Sequence, residues 1–189
     1  MKIFFGLIVF LISLTAISEP KMATEFIFYD IYPKTKGDIK QELYKRTPII
    51  LNGKKFRGDT KWHVNWKFKW KKKKGSCQIY TVNTDLTIQY TMPKISDDFP
   101  VDSGIRSSFD KYYKALLKHE QGHKDSGLYA ARDIEKELLS IDGFNNCRRL
   151  EKIANNKGKK IIEKYNQRDK DYDQRTDHGR TEGVDINLY

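Results

Sequence analysis

No internal repeat runs through the 189 residues, no linker long enough to separate two domains interrupts them, and no apolar run beyond Leu14 could cross a bilayer. These absences exclude collagen-like, coiled-coil and multi-span membrane architectures and leave one domain. Acidic residues are the scarcer charge, 25 against 36 basic ones, so the chain carries +11. A basic balance of this size favours anionic partners or simply solubility. Hydrophobic residues at 38% and aromatics at 13% exclude a disordered polyelectrolyte and supply a core.

Residues 1–18 read as a secretory signal peptide. Met1-Lys2 is a short positive region, Ile3 to Leu14 is apolar, and Ala16-Ile17-Ser18 offers small residues before a cut after Ser18. The run is short for a membrane anchor, so no stable span is expected once it is removed, and no cysteine lies near the cut to mark a lipoprotein. The expected mature chain is residues 19–189, secreted or periplasmic, with 35 basic residues after loss of Lys2 against 25 acidic ones. In an oxidising compartment the two cysteines, Cys77 and Cys147, are expected to pair, a closure that would stabilise the fold by about 4 kcal/mol in the chain-entropy model.

Strand-like alternation comes first along the mature chain. Thr24 to Tyr32 places Ile27, Tyr29 and Ile31 on one face, and Lys36 to Lys45 suits a short helix with Ile39 and Leu43 inward. Trp62, Val64, Trp66, Phe68 and Trp70 alternate with polar residues over Lys61 to Trp70. A turn over Lys71 to Ser76 then leads into a second strand with Tyr80, Val82, Leu86, Ile88, Tyr90 and Met92 inward, closed by Pro93. From Asp102 the period lengthens to about 3.6 residues. Asp102 or Ser103 caps a helix reaching about Leu139, and a second helix fits Asn145 to about Gln167, weakened at Gly158. Arg168 to Tyr189 shows no helical period. The expected fold is α+β, an antiparallel sheet with a long hairpin packed against a helical half.

The middle of the first long helix carries the chemistry. His119-Glu120-Gln121-Gly122-His123 is an H-E-x-x-H segment, whose spacing aims two imidazoles one turn apart at a single ion. His119, Glu120 and His123 lie on the same stripe as Ile105, Phe109, Leu116, Ala130, Ile134 and Leu138, whereas Lys111, Lys114, Lys118, Asp125 and Arg132 lie opposite. Three polar groups on a core-facing stripe are costly unless something satisfies them, and Zn2+ would do so. Gly122 costs about 1 kcal/mol in a helix interior relative to alanine, which suggests close approach of a neighbouring backbone. A catalytic zinc needs a third protein ligand. The longer motif with a third histidine is absent, since Ser126 and Tyr129 stand at those places. His63, His178, Glu151 and Asp173 are the candidates. His63 sits among surface lysines, so His178, in the polar segment Tyr172 to Gly179, is the better third ligand.

The signal peptide, the Trp-rich strand, one cysteine on each side of the H-E-x-x-H segment and the closing Tyr172-Asp173-x-x-Thr176-x-His178-Gly179 together resemble the DUF922 family of predicted secreted zinc-dependent proteases. The resemblance implies an exported zincin-like hydrolase of protein or peptide substrates, with His119 and His123 as ligands, Glu120 as base and a functional role for Tyr172 to Gly179. Tyr172 or Arg175 would stabilise the oxyanion, unless each is a structural contact of the tail. Lys67 to Lys74, where basic and aromatic residues interleave, offers a rival reading as a module for anionic envelope polymers, nucleic acid not being expected. The plainer alternative is a solvated sheet edge. A zinc-stabilised domain without catalysis is the remaining alternative.

Overall fold

The computed structural model describes residues 19–189, so the expected signal peptide lies outside the described residues. The elements run β1 (Lys21–Ile31), α1 (Asp38–Arg46), β2 (Ile50–Leu51), β3 (Lys54–Lys55), β4 (Asp59–Lys73), β5 (Ser76–Ile95), α2 (Ser103–Leu139) and α3 (Cys147–Thr176). Two 3-10 turns, Arg180–Glu182 and Ile186–Leu188, follow. No helix among the described residues is long and apolar enough to cross a membrane.

The fold is mixed α+β. Its three-stranded sheet has the order β1-β5-β4, with β4 and β5 antiparallel as expected. The expectation of a wholly antiparallel sheet needs correction, because β1 runs parallel to β5 with Lys21 opposite Asp85 and Ile31 opposite Ile95. Alternation in one strand identifies its faces but not the direction of its neighbour. Of the alternating set Ile27, Tyr29 and Ile31, the last two are buried and Ile27 is 42% exposed, so β1 enters the core at its C-terminal end.

The β4–β5 hairpin closes through Lys74 and Gly75, both with positive φ, as a two-residue turn that matches strand twist requires. The turn is therefore tighter than the lysine-rich stretch suggested. Lys69 faces Thr81 but Trp70 faces Ile79, so Tyr80 is an extra residue at a bulge and points to solvent, contrary to its expected inward place. Pro93 does not end β5, which continues to Ile95. Pairing with β4 has stopped at Thr91, so the missing amide of Pro93 falls where β5 has only β1 beside it.

Both long helices pack on the hairpin. Asp102 caps α2 by accepting the Ile105 amide at 2.8 Å, and Ile105, Phe109, Leu116, Ala130, Ile134 and Leu138 are buried as expected. The Trp side chains of β4 tie the sheet to α3: Trp62 Nε1 donates to Asp169 (2.6 Å), Trp66 Nε1 to Asn155 (3.2 Å) and Trp70 Nε1 to Glu151 (2.7 Å). Gly158 is a packing site in this arrangement, since a Cβ there would stand 2.7 Å from the Trp66 ring. Cys77 and Cys147 form a disulfide with a Cα separation of 5.3 Å, and the Cys77 and Phe144 backbones exchange hydrogen bonds beside it. The start of α3 is thus fastened to the start of β5.

The tail is the largest departure from expectation. Helix α3 continues to Thr176, so Arg168 to Thr176 is helical. The period persists there in residues that hydrophobicity cannot detect: Tyr165, Asp169, Tyr172, Asp173 and Thr176 share the face turned towards α2.

Candidate metal centre

Helix α2 brings His119 and His123 to one face, both buried, and α3 sets Asp173 against them. Asp173 Oδ1 lies 3.2 Å from His119 Nε2 and 3.2 Å from His123 Nε2. One ligand atom from each of the three residues falls within 4.8 Å of the others. The opposite ring nitrogens face separate carboxylates: His119 Nδ1 meets Glu182 Oε2 at 2.9 Å, and His123 Nδ1 stands 3.4 Å from Asp169 Oδ1. A carboxylate at Nδ1 favours the proton there and turns the Nε2 lone pair towards the shared point, as carboxylate–histidine–metal arrangements do.

These supports are themselves fixed. Asp169 is held by the Trp62 indole, and Glu182 accepts the Tyr172 hydroxyl at 2.8 Å. The Tyr172 ring stacks on His119 at 4.9 Å and meets His123 edge-on at 5.2 Å. Gly122 makes room for it, because a Cβ there would lie 2.6 Å from three Tyr172 atoms. The neighbour expected at Gly122 is therefore a tyrosine ring rather than a backbone. Glu182 reaches His119 because the chain reverses after α3 through Asp177, His178 and Gly179, all left-handed, with the His178 amide donating to the Asp173 carbonyl at 2.8 Å. Two successive non-glycine residues in that region are a local strain placed beside the cluster.

Glu120 is 4% exposed and accepts the Thr60 hydroxyl on Oε2 at 2.6 Å. Burial raises its pKa above the usual carboxylate value, more than the Thr60 hydrogen bond and the two histidines lower it. Burial likewise raises Asp59, which stands at the start of β4 near His123 and Asp173. Burial opposes charge on the histidines, but the carboxylates outweigh it. Asp173 and Glu182 raise His119, while Asp169 and Asp173 push His123 up to about 10. Burial also raises Asp173, yet its hydrogen bonds to both imidazoles prevail and hold it far below the ordinary range.

The four candidates for a third ligand separate clearly. Asp173 joins the two histidines. His178 lines the same cleft, Nδ1 3.7 Å from Asp173 Oδ1, with its ring edge-on to Phe56 and its side chain 52% exposed. His63 bonds Asn65 on the exposed sheet face, and Glu151 is engaged by Trp70. Tyr172 and Arg175 both lie outside the cleft wall, Tyr172 committed to Glu182 and the Arg175 guanidinium over the Tyr172 ring. Asp169, Glu182, Asp59 and Thr60 were not foreseen. The four-residue step from Asp169 to Asp173 was a usable signal; Glu182 had none.

The cleft above the cluster has a volume of about 930 Å³ and is walled by the β2–β3 hairpin, residues 56–60, α2, the end of α3 and the tail. Across the sheet, Lys67, Lys69 and Lys71 to Lys74 are exposed, but Trp66 and Trp70 are turned to α3 by their indole hydrogen bonds.

The family model described as "Bacterial protein of unknown function (DUF922)" matches residues 26–179. The chain belongs to the DUF922 family. No curated protein and no solved structure matches it significantly. Within this DUF922 chain the matched residues contain His119, Glu120, His123, Asp169, Tyr172 and Asp173, while Glu182 lies beyond them.

Proposed function

We propose that the protein is a zinc-dependent peptidase that works outside the cytoplasm. The observation that carries this reading is the convergence of two imidazole Nε2 atoms on one oxygen of Asp173, each imidazole backed by its own carboxylate, with Glu120 in the same cleft. The donor set fits zinc. Bonds of about 2.0–2.1 Å arranged tetrahedrally put neighbouring ligand atoms about 3.3–3.4 Å apart, close to the 3.2 Å separations of Asp173 from both histidines. Two histidines and a carboxylate would supply the three protein ligands typical of a catalytic zinc site.

His119, His123 and Asp173 would hold the ion, which supplies a Lewis acid and an acidified water. Glu120 is the proton carrier. Its raised pKa brings a carboxylate nearer to the neutral range in which it can accept a proton and return it to a leaving amine. Thr60 fixes one carboxylate oxygen, which limits the orientations the group can take. His178, on the cleft wall beside Asp173, is the donor available to a developing oxyanion, the role expected of Tyr172 or Arg175. Tyr172 instead braces His119 through ring stacking and through Glu182. The disulfide and the expected signal peptide agree with an extracytoplasmic site of action.

The test is Glu120→Gln, assayed on substrates found by screening unfolded proteins and envelope peptides. It should retain fold and metal while hydrolysis falls by about 10² to 10⁴, the range of lost general-base catalysis. Wild-type cleavage rates in the variant would remove Glu120 from this role. Loss of metal would place it in the structural shell of a non-catalytic zinc domain.

A further inference from the structure

The end of the cleft away from His123 contains two groups that the peptidase reading leaves unused. Arg57, half-buried on the segment between β3 and β4, lines the cleft and has no carboxylate partner among the described residues. Its backbone is fixed, because the Tyr29 hydroxyl donates to its carbonyl at 2.8 Å. Tyr112 lines the cleft on α2 and is 1% exposed, yet its hydroxyl is buried with no hydrogen-bond partner. A buried hydroxyl left unpaired costs about 1–3 kcal/mol, so its presence at a cleft wall calls for a ligand. The two groups are electrostatic neighbours, the Arg57 charge acting on the Tyr112 hydroxyl against its burial. Two acids lie nearby: Glu120 accepts the Thr60 hydroxyl at 2.6 Å, and Asp185 is occupied by the Asn187 amide and side chain at 3.0 and 2.7 Å. Lys40 and Lys54, also without carboxylate partners among the described residues, line the cleft as well. Asp59, Asp169 and Asp173 gather instead at the metal end. The cleft is thus polarised, negative around the histidines and positive around Arg57.

We propose that Arg57 and Tyr112 form a carboxylate-binding subsite that selects peptides bearing an acidic side chain or a free C-terminal carboxylate near the scissile bond. The inference extends the peptidase reading by naming the substrate class. A guanidinium donates only and a phenol hydroxyl left without a partner can donate, so together they suit the two oxygens of a carboxylate. The subsite adjoins the base: a Cβ on Gly58, the residue after Arg57, would stand 2.5 Å from Glu120 Oε1, so the carboxylate belongs close to the bond that Glu120 serves.

The experiment is calorimetric titration of purified mature protein, silenced by Glu120→Gln, with matched hexapeptides. One carries a glutamate and an amidated end, one a glutamine and a free C-terminus, and one a glutamine and an amidated end. At least one carboxylate peptide should bind about 10-fold or more tightly than the neutral peptide, in line with charge-assisted hydrogen bonds, and the arms identify which carboxylate is read. Arg57→Gln should reduce the advantage to within about twofold, Arg57→Lys should retain part of it, and Tyr112→Phe should lower it several-fold. Equal binding of all three peptides, absence of binding by every peptide, or an advantage that survives Arg57→Gln would overturn the proposal. The peptidase reading fails by a different sign, absence of metal and cleavage while carboxylate selectivity persists.

Discussion

Gly122→Ala places two effects of opposite sign on one atom. Alanine in a helix interior is favoured over glycine by about 1 kcal/mol. The added Cβ, however, would lie 2.6 Å from Cε1, Cζ and the hydroxyl oxygen of Tyr172, whose ring is confined between His119 and His123 and tied to Glu182. Forcing an extra carbon into packed surroundings costs about 1–3 kcal/mol, so the net stability change should be small, about 0–2 kcal/mol unfavourable. Metal binding should suffer more. Displacing Tyr172 releases Glu182 and with it the orientation of His119, and loss of such outer support lowers metal affinity by about 10–100-fold. Urea unfolding in chelator measures the first quantity, and competition titration with a zinc indicator measures the second. A variant about 1 kcal/mol more stable than the parent, with unchanged zinc affinity, would refute the bracing role of Tyr172.

Replacing both cysteines by serine should cost about 4 kcal/mol in the chain-entropy model for the loop that Cys77–Cys147 closes; an unchanged urea midpoint would contradict this. The metal-free protein should lose stability as pH rises. His119 and His123 titrate above the unfolded histidine value, so their stabilising contribution is complete below about pH 6.5 and, for His123, disappears as pH passes about 10. Zinc binding must displace those protons, so added zinc should stabilise more at pH 9 than at pH 6.5. Melting curves with chelator and with zinc at the two pH values check both signs, and a metal-free melting temperature that climbs with pH would contradict the ion pairs.

Much of the frame was legible in the sequence because it is written in hydrophobic period. The alternating tryptophans of β4 and the apolar stripe of α2 identified the hairpin, the long helix and the inward placement of His119, Glu120 and His123. What failed did so for physical reasons. Tyr80 was misplaced because a bulge resets alternation without leaving a mark in composition. The parallel pairing of β1 depends on the partner rather than on the strand. The last turns of α3 escaped because their inward face is Asp169, Tyr172, Asp173 and Thr176, polar groups facing other polar groups. Histidine scarcity drew attention to His178, whereas helical spacing would have favoured Asp173, one turn beyond Asp169 and aligned with both imidazoles. Glu182 is delivered by three left-handed residues after the helix, and that geometry cannot be read from composition.

The central claim is that His119, His123 and Asp173 form a zinc site. Elemental analysis of purified mature protein, alongside His119→Ala, Asp173→Asn and His178→Ala, tests it most directly. The account predicts about one zinc per chain in the parent, near-complete loss in His119→Ala and Asp173→Asn, and retention in His178→Ala. A parent without zinc after reconstitution, or full occupancy in Asp173→Asn with loss in His178→Ala, would contradict it.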